Sequence, residues 1–267
     1  MRRVQWFEIH DQPWFPTFLR DQVTDALQFI LQLGNVYWPI TARLQQAVEK
    51  LGARRVLDVC SGAGGPWLTL YKALDRQESP PVLITLSDKY PNASAFRRAQ
   101  SLSNNKIQFH AAPVNVTDVP ADLEGFRTVF NSFHHFAPGE ARAILLDAVN
   151  RRQGIGIFEV PGRHATTLTL TLLMPVVDLL VTPVMRPFRW SRLFWTYLIP
   201  VVPLVLLHDG IVSCLRVYSP SELVGLTEHL SNSNGYEWEI GEERGGLLPI
   251  TYLIGCPRRR EPVRAAS

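Results

Sequence analysis

Lysine is nearly missing from this chain. Lys50, Lys72, Lys89 and Lys106 are the whole complement, and arginine carries almost all the positive charge. The formal net charge is only +3 over 267 residues, so there is no basic footprint by which to expect a nucleic-acid partner. Cysteine is scarce as well. Cys60, Cys214 and Cys256 are odd in number, far apart and without metal-ligand spacing. They are expected to be structural thiols in a reducing cytosol, and no metal site is expected. Charged residues make up 19% against 46% hydrophobic. The chain can therefore bury a core, but it is poor in charge for a soluble enzyme. It has no internal repeat, and its start, MRRVQWFEIHDQPWF, has two arginines but no apolar stretch, so no signal peptide is expected. The length suits one large α/β domain, or one domain with an insertion.

What is present is organised around residues 54–67, RRVLDVCSGAGGPW. A short apolar run ends in Asp58. Gly62, Gly64 and Gly65 follow closely, and Pro66 suits the first position of a helix. This is a strand, a tight turn and a helix start, whose free N–H groups favour an electron-rich ligand. A dinucleotide turn wants G-x-G-x-x-G, but counting from Gly62 the last position is Trp67. A phosphate-binding Walker A loop needs Gly-Lys-Ser/Thr, which is missing.

The run resembles motif I of class I S-adenosylmethionine (SAM) methyltransferases, in which an acid ends the strand and G-x-G follows. Cys60 stands where that family usually has a glycine. The resemblance implies cofactor contacts from Asp58, Gly62 and Gly64. It continues in order along the chain. The second strand, residues 82–86, ends at Asp88, which matches the acid that holds the ribose hydroxyls; a turn or capping role is the plainer alternative. NVTDVP, residues 115–120, resembles the segment whose first residue receives the adenine amino group, here Asn115, with Asp118 as the fallback. FRTVFNSFHHF, residues 126–136, reads as the fourth strand and its exit at the ligand edge, with Asn131 at the cofactor. His134 and His135 are the general-base candidates, and nothing in the sequence chooses between them, although adjacent residues of an extended segment face opposite ways. A fifth strand, 154–160, carries Glu159 at its tip, where it borders substrate or is simply salt-bridged.

Residues 1–52 read as an N-terminal helical cap, with helices over 19–33 and 41–51 behind an aromatic loop. The loop is either plain packing or a lid that brings His10 or Asp11 to the substrate. Residues 53–163 read as the SAM-binding core, 211–258 as a helix and the closing strands, and 259–267 as a solvated basic tail. Ser219-Pro220-Ser221-Glu222 marks a helix start. Arg216 and Tyr218 either face the site or have structural roles.

Residues 164–210 do not fit a minimal domain. The first half is nearly uncharged but broken by Pro175, Asp178 and Pro183; the second interleaves Arg186, Arg189 and Arg192 with aromatic rings before a short apolar run ends at His208-Asp209-Gly210. A spanning helix needs about twenty uninterrupted apolar residues, so three readings stay open. They are a buried lid or dimer surface, a peripheral or re-entrant membrane contact, and a tunnel for an apolar substrate.

The expectation is an α/β protein with a Rossmann-like, seven-stranded, mostly parallel sheet, an antiparallel closing strand, helices on both faces, an N-terminal cap and an apolar insertion. The implied activity is SAM-dependent methylation of a small hydrophobic acceptor in the cytoplasm, with or without a peripheral contact at the inner face of the membrane. A non-catalytic SAM-binding or membrane-tethered partner protein is the rival, and an NAD(P)-dependent oxidoreductase a more distant one. The oligomeric state is not readable.

Overall fold

The computed structural model describes residues 2–74, 81–231, 235–246 and 248–258. The expected basic tail, 259–267, lies outside them. Seven strands form one sheet: β1 Arg55–Asp58, β2 Leu83–Leu86, β3 Ile107–Phe109, β4 Phe126–Phe130, β5 Ile155–Glu159, β6 Tyr236–Glu243 and β7 Ile250–Pro257. Their order is β3-β2-β1-β4-β5-β7-β6. Neighbours from β3 through β5 pair in parallel, and β7 runs antiparallel to both β5 and β6. The strand order reverses between β1 and β4, which opens a crevice at the carboxyl ends of those strands.

Every residue of β4 and of β5 is buried, as a strand covered on both faces requires. The two-residue period then sorts side chains. Val56, Phe130 and Phe158 face a core shared with α2 (Thr41–Leu51), α3 (Trp67–Leu74) and α4 (Ala93–Leu102). Leu57, Val129 and Ile157 face the opposite core, closed by α5 (Pro138–Asn150) and α10 (Pro220–Ser231). The start of α10 is the capping box expected from Ser219 to Glu222: the Ser219 N–H donates to the Glu222 carboxylate at 2.8 Å, and the Glu222 N–H donates to Ser219 Oγ at 3.3 Å.

A third core lies outside the sheet. Phe15 precedes α1 (Thr17–Leu33), and with Leu19, Val23 and Ala26 of that helix it packs on Val181 and Met185 and on Val202, Val205 and Leu206. These partners come from α7 (Met174–Val181) and α9 (Val201–Arg216), or lie just after α7. α6 (Ala165–Leu172) and α8 (Trp190–Leu193) complete the insertion, with a π turn over Phe194–Leu198. Cap and insertion thus share one core, though well over a hundred residues separate them. The polar triplet 208–210 does not end the apolar helix as the sequence suggested; α9 runs through it to Arg216. Gly210 is there for contact, since a Cβ on it would sit 2.7 Å from Thr171 Cγ2 of α6.

Candidate active site

The glycine turn leaves β1 through four left-handed residues: Cys60 (φ +60°), Gly62 (+53°), Gly64 (+104°) and Gly65 (+51°). Glycine adopts these angles without strain, and Cys60 keeps the same geometry without being glycine. Asp58, 1% exposed, lies beneath the turn. Its Oδ1 accepts from the Thr128 hydroxyl at 2.6 Å, and Oδ2 is buried without a hydrogen-bond partner. Burial pushes its pKa up to about 6, against the pull of that hydroxyl. The structure thus makes Asp58 the floor of the turn, with only its unpartnered oxygen left for a ligand.

Asp88 stands at the end of β2 and reaches the turn directly. Its Oδ2 accepts the Gly62 N–H at 2.7 Å, and its Oδ1 accepts the Tyr90 N–H at 2.8 Å. Each oxygen keeps a second lone pair for a further donor. Above the turn lies α1: Gln28 donates to the Gly65 carbonyl at 3.3 Å, and a Cβ on Gly64 would come within 3.2 Å of the Gln28 amide nitrogen. Trp67, where a dinucleotide turn would need glycine, is fully buried and packs edge-on against Phe130.

Asn115 is placed otherwise than its motif suggests. Its side-chain carbonyl accepts both the Thr117 N–H (3.1 Å) and the Thr117 hydroxyl (2.9 Å), which closes an exposed turn and fills both lone pairs. Asn131 leaves β4 in the left-handed region (φ +54°), and its Oδ1 accepts the Val160 N–H at 3.1 Å, so it ties β4 to β5 at the crevice.

The histidine exit is the centre of a larger cluster. His134 Nδ1 is hydrogen-bonded to Glu159 Oε2, and His135 Nδ1 to Asp11 Oδ2. Glu159, 3% exposed, also accepts the N–H groups of Ser132 (2.9 Å) and Phe133 (2.7 Å), so it shapes the exit from below. Glu8 arrives from the N-terminal loop, 1% exposed, with Oε1 3.3 Å from His134 Nε2 and Oε2 3.5 Å from His135 Nε2. Ser213 of α9 donates to Glu8 Oε1 at 3.1 Å, and Arg216 Nη1 lies 3.6 Å from the same oxygen.

The loop is latched by Asp209, whose carboxylate accepts the N–H groups of Ile9 (2.7 Å) and His10 (3.1 Å) and pairs with His10 Nδ1 at 2.8 Å. His10, expected at the substrate, therefore has one ring nitrogen committed to α9. Arg216 reaches past the cluster to the backbone, donating to the carbonyls of His134 and His135. Sequence reasoning gave Glu8 no role and read Asp209 only as part of the end of an apolar run. Nothing in a linear reading pairs residues two hundred positions apart.

Electrostatics separate the two histidines. Burial works against charge on His134, but the carboxylates of Glu159 and Glu8 outweigh it and push its pKa up to about 10. The two carboxylates thus favour the charged form, in which neither ring nitrogen keeps a lone pair to take a proton. Burial would raise the Glu8 pKa, yet His135 and His134 bring it down to about 2. The His135 side chain is 15% exposed, which leaves it as the member of the pair that a ligand can reach.

No family model matches this sequence, and no curated protein matches it; the likenesses are in three dimensions. An O-methyltransferase family protein from Burkholderia thailandensis is 15% identical, with a TM-score of 0.52 over 89% of this chain and 60% of that one. PigF, solved with S-adenosylhomocysteine (SAH), is 19% identical, with a TM-score of 0.51 over 91% of this chain and 62% of its own. The plantazolicin methyltransferase BpumL, in complex with SAH, is 12% identical, with a TM-score of 0.51 over 91% and 96%. This chain spans less than two thirds of the first two and nearly all of the third. At such identities the likeness is one of fold.

Proposed function

We propose that this chain transfers a methyl group from SAM to an oxygen of a small, largely apolar acceptor. The observation that carries the reading is the meeting of the Gly62 N–H with the Asp88 carboxylate at the sheet's crevice. That meeting occurs in a fold shared with methyltransferases, two of which were solved with SAH. In this reading the donor's amino-acid end lies over residues 62–65. Its ribose hydroxyls donate to the remaining lone pairs of Asp88, and Gln28 swings away from Gly64 to admit it.

The sulfonium of the donor is already activated. The protein's work is to hold the acceptor oxygen in line with the methyl group and keep water out. The lid of cap and insertion supplies the cover. In this reading the acceptor oxygen lies beside the His135 end of the β4 exit, and His134 serves to hold the cluster together. A thermal-shift panel of SAM, SAH and NAD(P) tests the cofactor. SAM and SAH should raise the melting temperature, and NAD(P) should not, because Trp67 fills the dinucleotide position. Asp88→Ala should abolish SAM binding; unchanged calorimetric affinity would overturn the assignment. Turnover of SAM to SAH with apolar hydroxy compounds separates an enzyme from a SAM-binding partner protein.

The setting we propose is the cytoplasm, with the lid resting on the inner face of the membrane. Leu172, Leu180, Trp190, Leu198 and Leu204 of the insertion are each more than half exposed. Trp190 and Leu198 also line an open apolar hollow with Phe194 and Tyr197. Exposed apolar surface on this scale marks an interaction site, and rings beside arginines suit headgroup depth. Among the described residues no single helix is long and apolar enough to cross a bilayer, although two bent helix pairs have the length and composition. Co-sedimentation with anionic vesicles should be lost in a Trp190→Ser/Leu198→Ser variant. A full-length chain that ignores vesicles sinks this part of the reading.

A further inference from the structure

The sequence offers no cysteine metal site, but the fold brings other donors together. Glu8 comes from the N-terminal loop, and His134 and His135 come from the β4 exit. One donor atom from each lies within 4.8 Å of the other two. Both histidines turn Nδ1 outward onto a carboxylate, Glu159 or Asp11, and both turn Nε2 toward Glu8. A metal-ligating histidine is usually held in this way, its far nitrogen bonded to a carboxylate that fixes the ring and raises its basicity.

The spacing fits as well. Donors about 2.0 to 2.1 Å from a tetrahedral ion stand roughly 3.3 to 3.4 Å from one another. Here Nε2 of His134 is 3.3 Å from Glu8 Oε1, and Nε2 of His135 is 3.5 Å from Glu8 Oε2. His134 Nε2 faces Glu8 Oε1 at 3.3 Å without the geometry of a hydrogen bond, although the residue is 1% exposed. A buried ring nitrogen so poorly satisfied is costly, and a cation between it and Glu8 satisfies both. Charge points the same way. Three carboxylates, Glu8, Asp11 and Glu159, meet the two imidazoles, with the guanidinium of Arg216 beside Glu8 and that of Arg3 on the His134 carbonyl. An added cation offsets the carboxylate charge.

We propose that Glu8, His134 and His135 bind a divalent first-row transition ion through two imidazoles and one carboxylate, with a coordination position left open. Nitrogen and carboxylate donors of this kind suit zinc or iron(II) better than magnesium or calcium. The neighbouring group of His10, Asp11 and His135 is the poorer site, because His135 Nδ1 and Asp11 are already bonded to each other. The ion ties the N-terminal loop to the sheet's edge. It also stands beside the place assigned to the acceptor oxygen, where a Lewis acid lowers the pKa of whatever oxygen it binds. The inference rests on no step of methyl transfer.

Two protons on the imidazoles would balance the charge equally well, so the test must see metal directly. The full chain is stripped with a chelator and titrated with zinc by calorimetry, then with cobalt(II), whose visible absorption reports the donor geometry. One ion per chain should bind in the micromolar range or tighter. Glu8→Gln and His134→Gln should each weaken binding tenfold or more, and Glu159→Gln by ten- to a hundredfold through loss of the backing carboxylate. Circular dichroism checks that each variant is folded. The inference is overturned if the wild-type chain shows no saturable binding up to millimolar zinc. It is also overturned if folded Glu8→Gln and His134→Gln keep wild-type affinity and the same cobalt spectrum. SAM binding, measured separately, is not touched by either result.

Discussion

In the sheet, Val56 and Leu57 are adjacent in sequence and feed opposite cores. In the lid, Phe15 and Leu206 share a core across almost two hundred residues. The first arrangement is local: a two-residue period, a glycine turn and a capping box are each complete within a few positions. The second depends on partners that only the finished fold brings together, and its outer face stays apolar and exposed. A region built from distant contacts meets its entropy cost late. It is also the region expected to open first, with its outer face exposed and few local contacts to hold it.

The most damaging test of that contrast is a pair of truncations. Phe158 is fully buried and stacks on Phe130 with ring centroids 5.1 Å apart. Phe158→Ala should cost about 3 to 5 kcal/mol in global unfolding. Leu206→Ala in the lid core should cost about 2 kcal/mol or more locally, mostly as faster amide exchange and easier proteolysis of residues 4–33, before the sheet melts. A single shared transition, moved equally by both variants, would make lid and sheet one cooperative unit and erase the distinction.

Titration of the latch is a gentler probe. Burial lowers the pKa of His10, but the hydrogen bond with Asp209 and the charges of Asp11 and Glu8 outweigh it and raise it from 6.5 to about 9. A folded-state pKa above the unfolded one gives stability that is fully present below about pH 6.5 and lost as pH rises through about 9. In chelator-treated protein the loop should therefore loosen between pH 7 and 10, seen as rising proteolysis near residues 4–16. Asp209→Asn should flatten that dependence and weaken the latch by about 2 kcal/mol, the worth of hydrogen bonds to a charged group. A latch equally tight at pH 7 and pH 10 would put the loop's attachment elsewhere.

The same division explains what could be read from the sequence. The mostly parallel seven-stranded sheet, the glycine turn and the position of Asp88 at the end of β2 followed from motif and period, because each is encoded where it acts. For Asn115 the motif position does not reveal that Thr117, two residues on, takes both lone pairs of its carbonyl. His208-Asp209-Gly210 read as a helix stop because the loop that Asp209 latches and the helix that Gly210 admits are remote in sequence. Glu8 was the least visible of all. An acid among tryptophans gains its meaning only from two histidines 126 and 127 positions further on.

The smallest effect is expected where the local code itself is irregular. Cys60 adopts φ +60°, a conformation that costs a non-glycine residue about 1 kcal/mol. Glycine at that position would remove the strain but would enlarge the unfolded ensemble by a comparable amount. Cys60→Gly should therefore be neutral, or stabilising by less than about 1 kcal/mol, in a denaturant midpoint, with the turn and Asp88 unmoved. A loss of more than about 1 kcal/mol would mean that the thiol itself is needed. Burial raises the Cys60 pKa well above its ordinary value, with Asp88 and Asp58 adding to the effect, so it packs as a neutral group. Such a loss would then measure side-chain packing that glycine cannot supply, and even this most legible turn would depend on its distant neighbours.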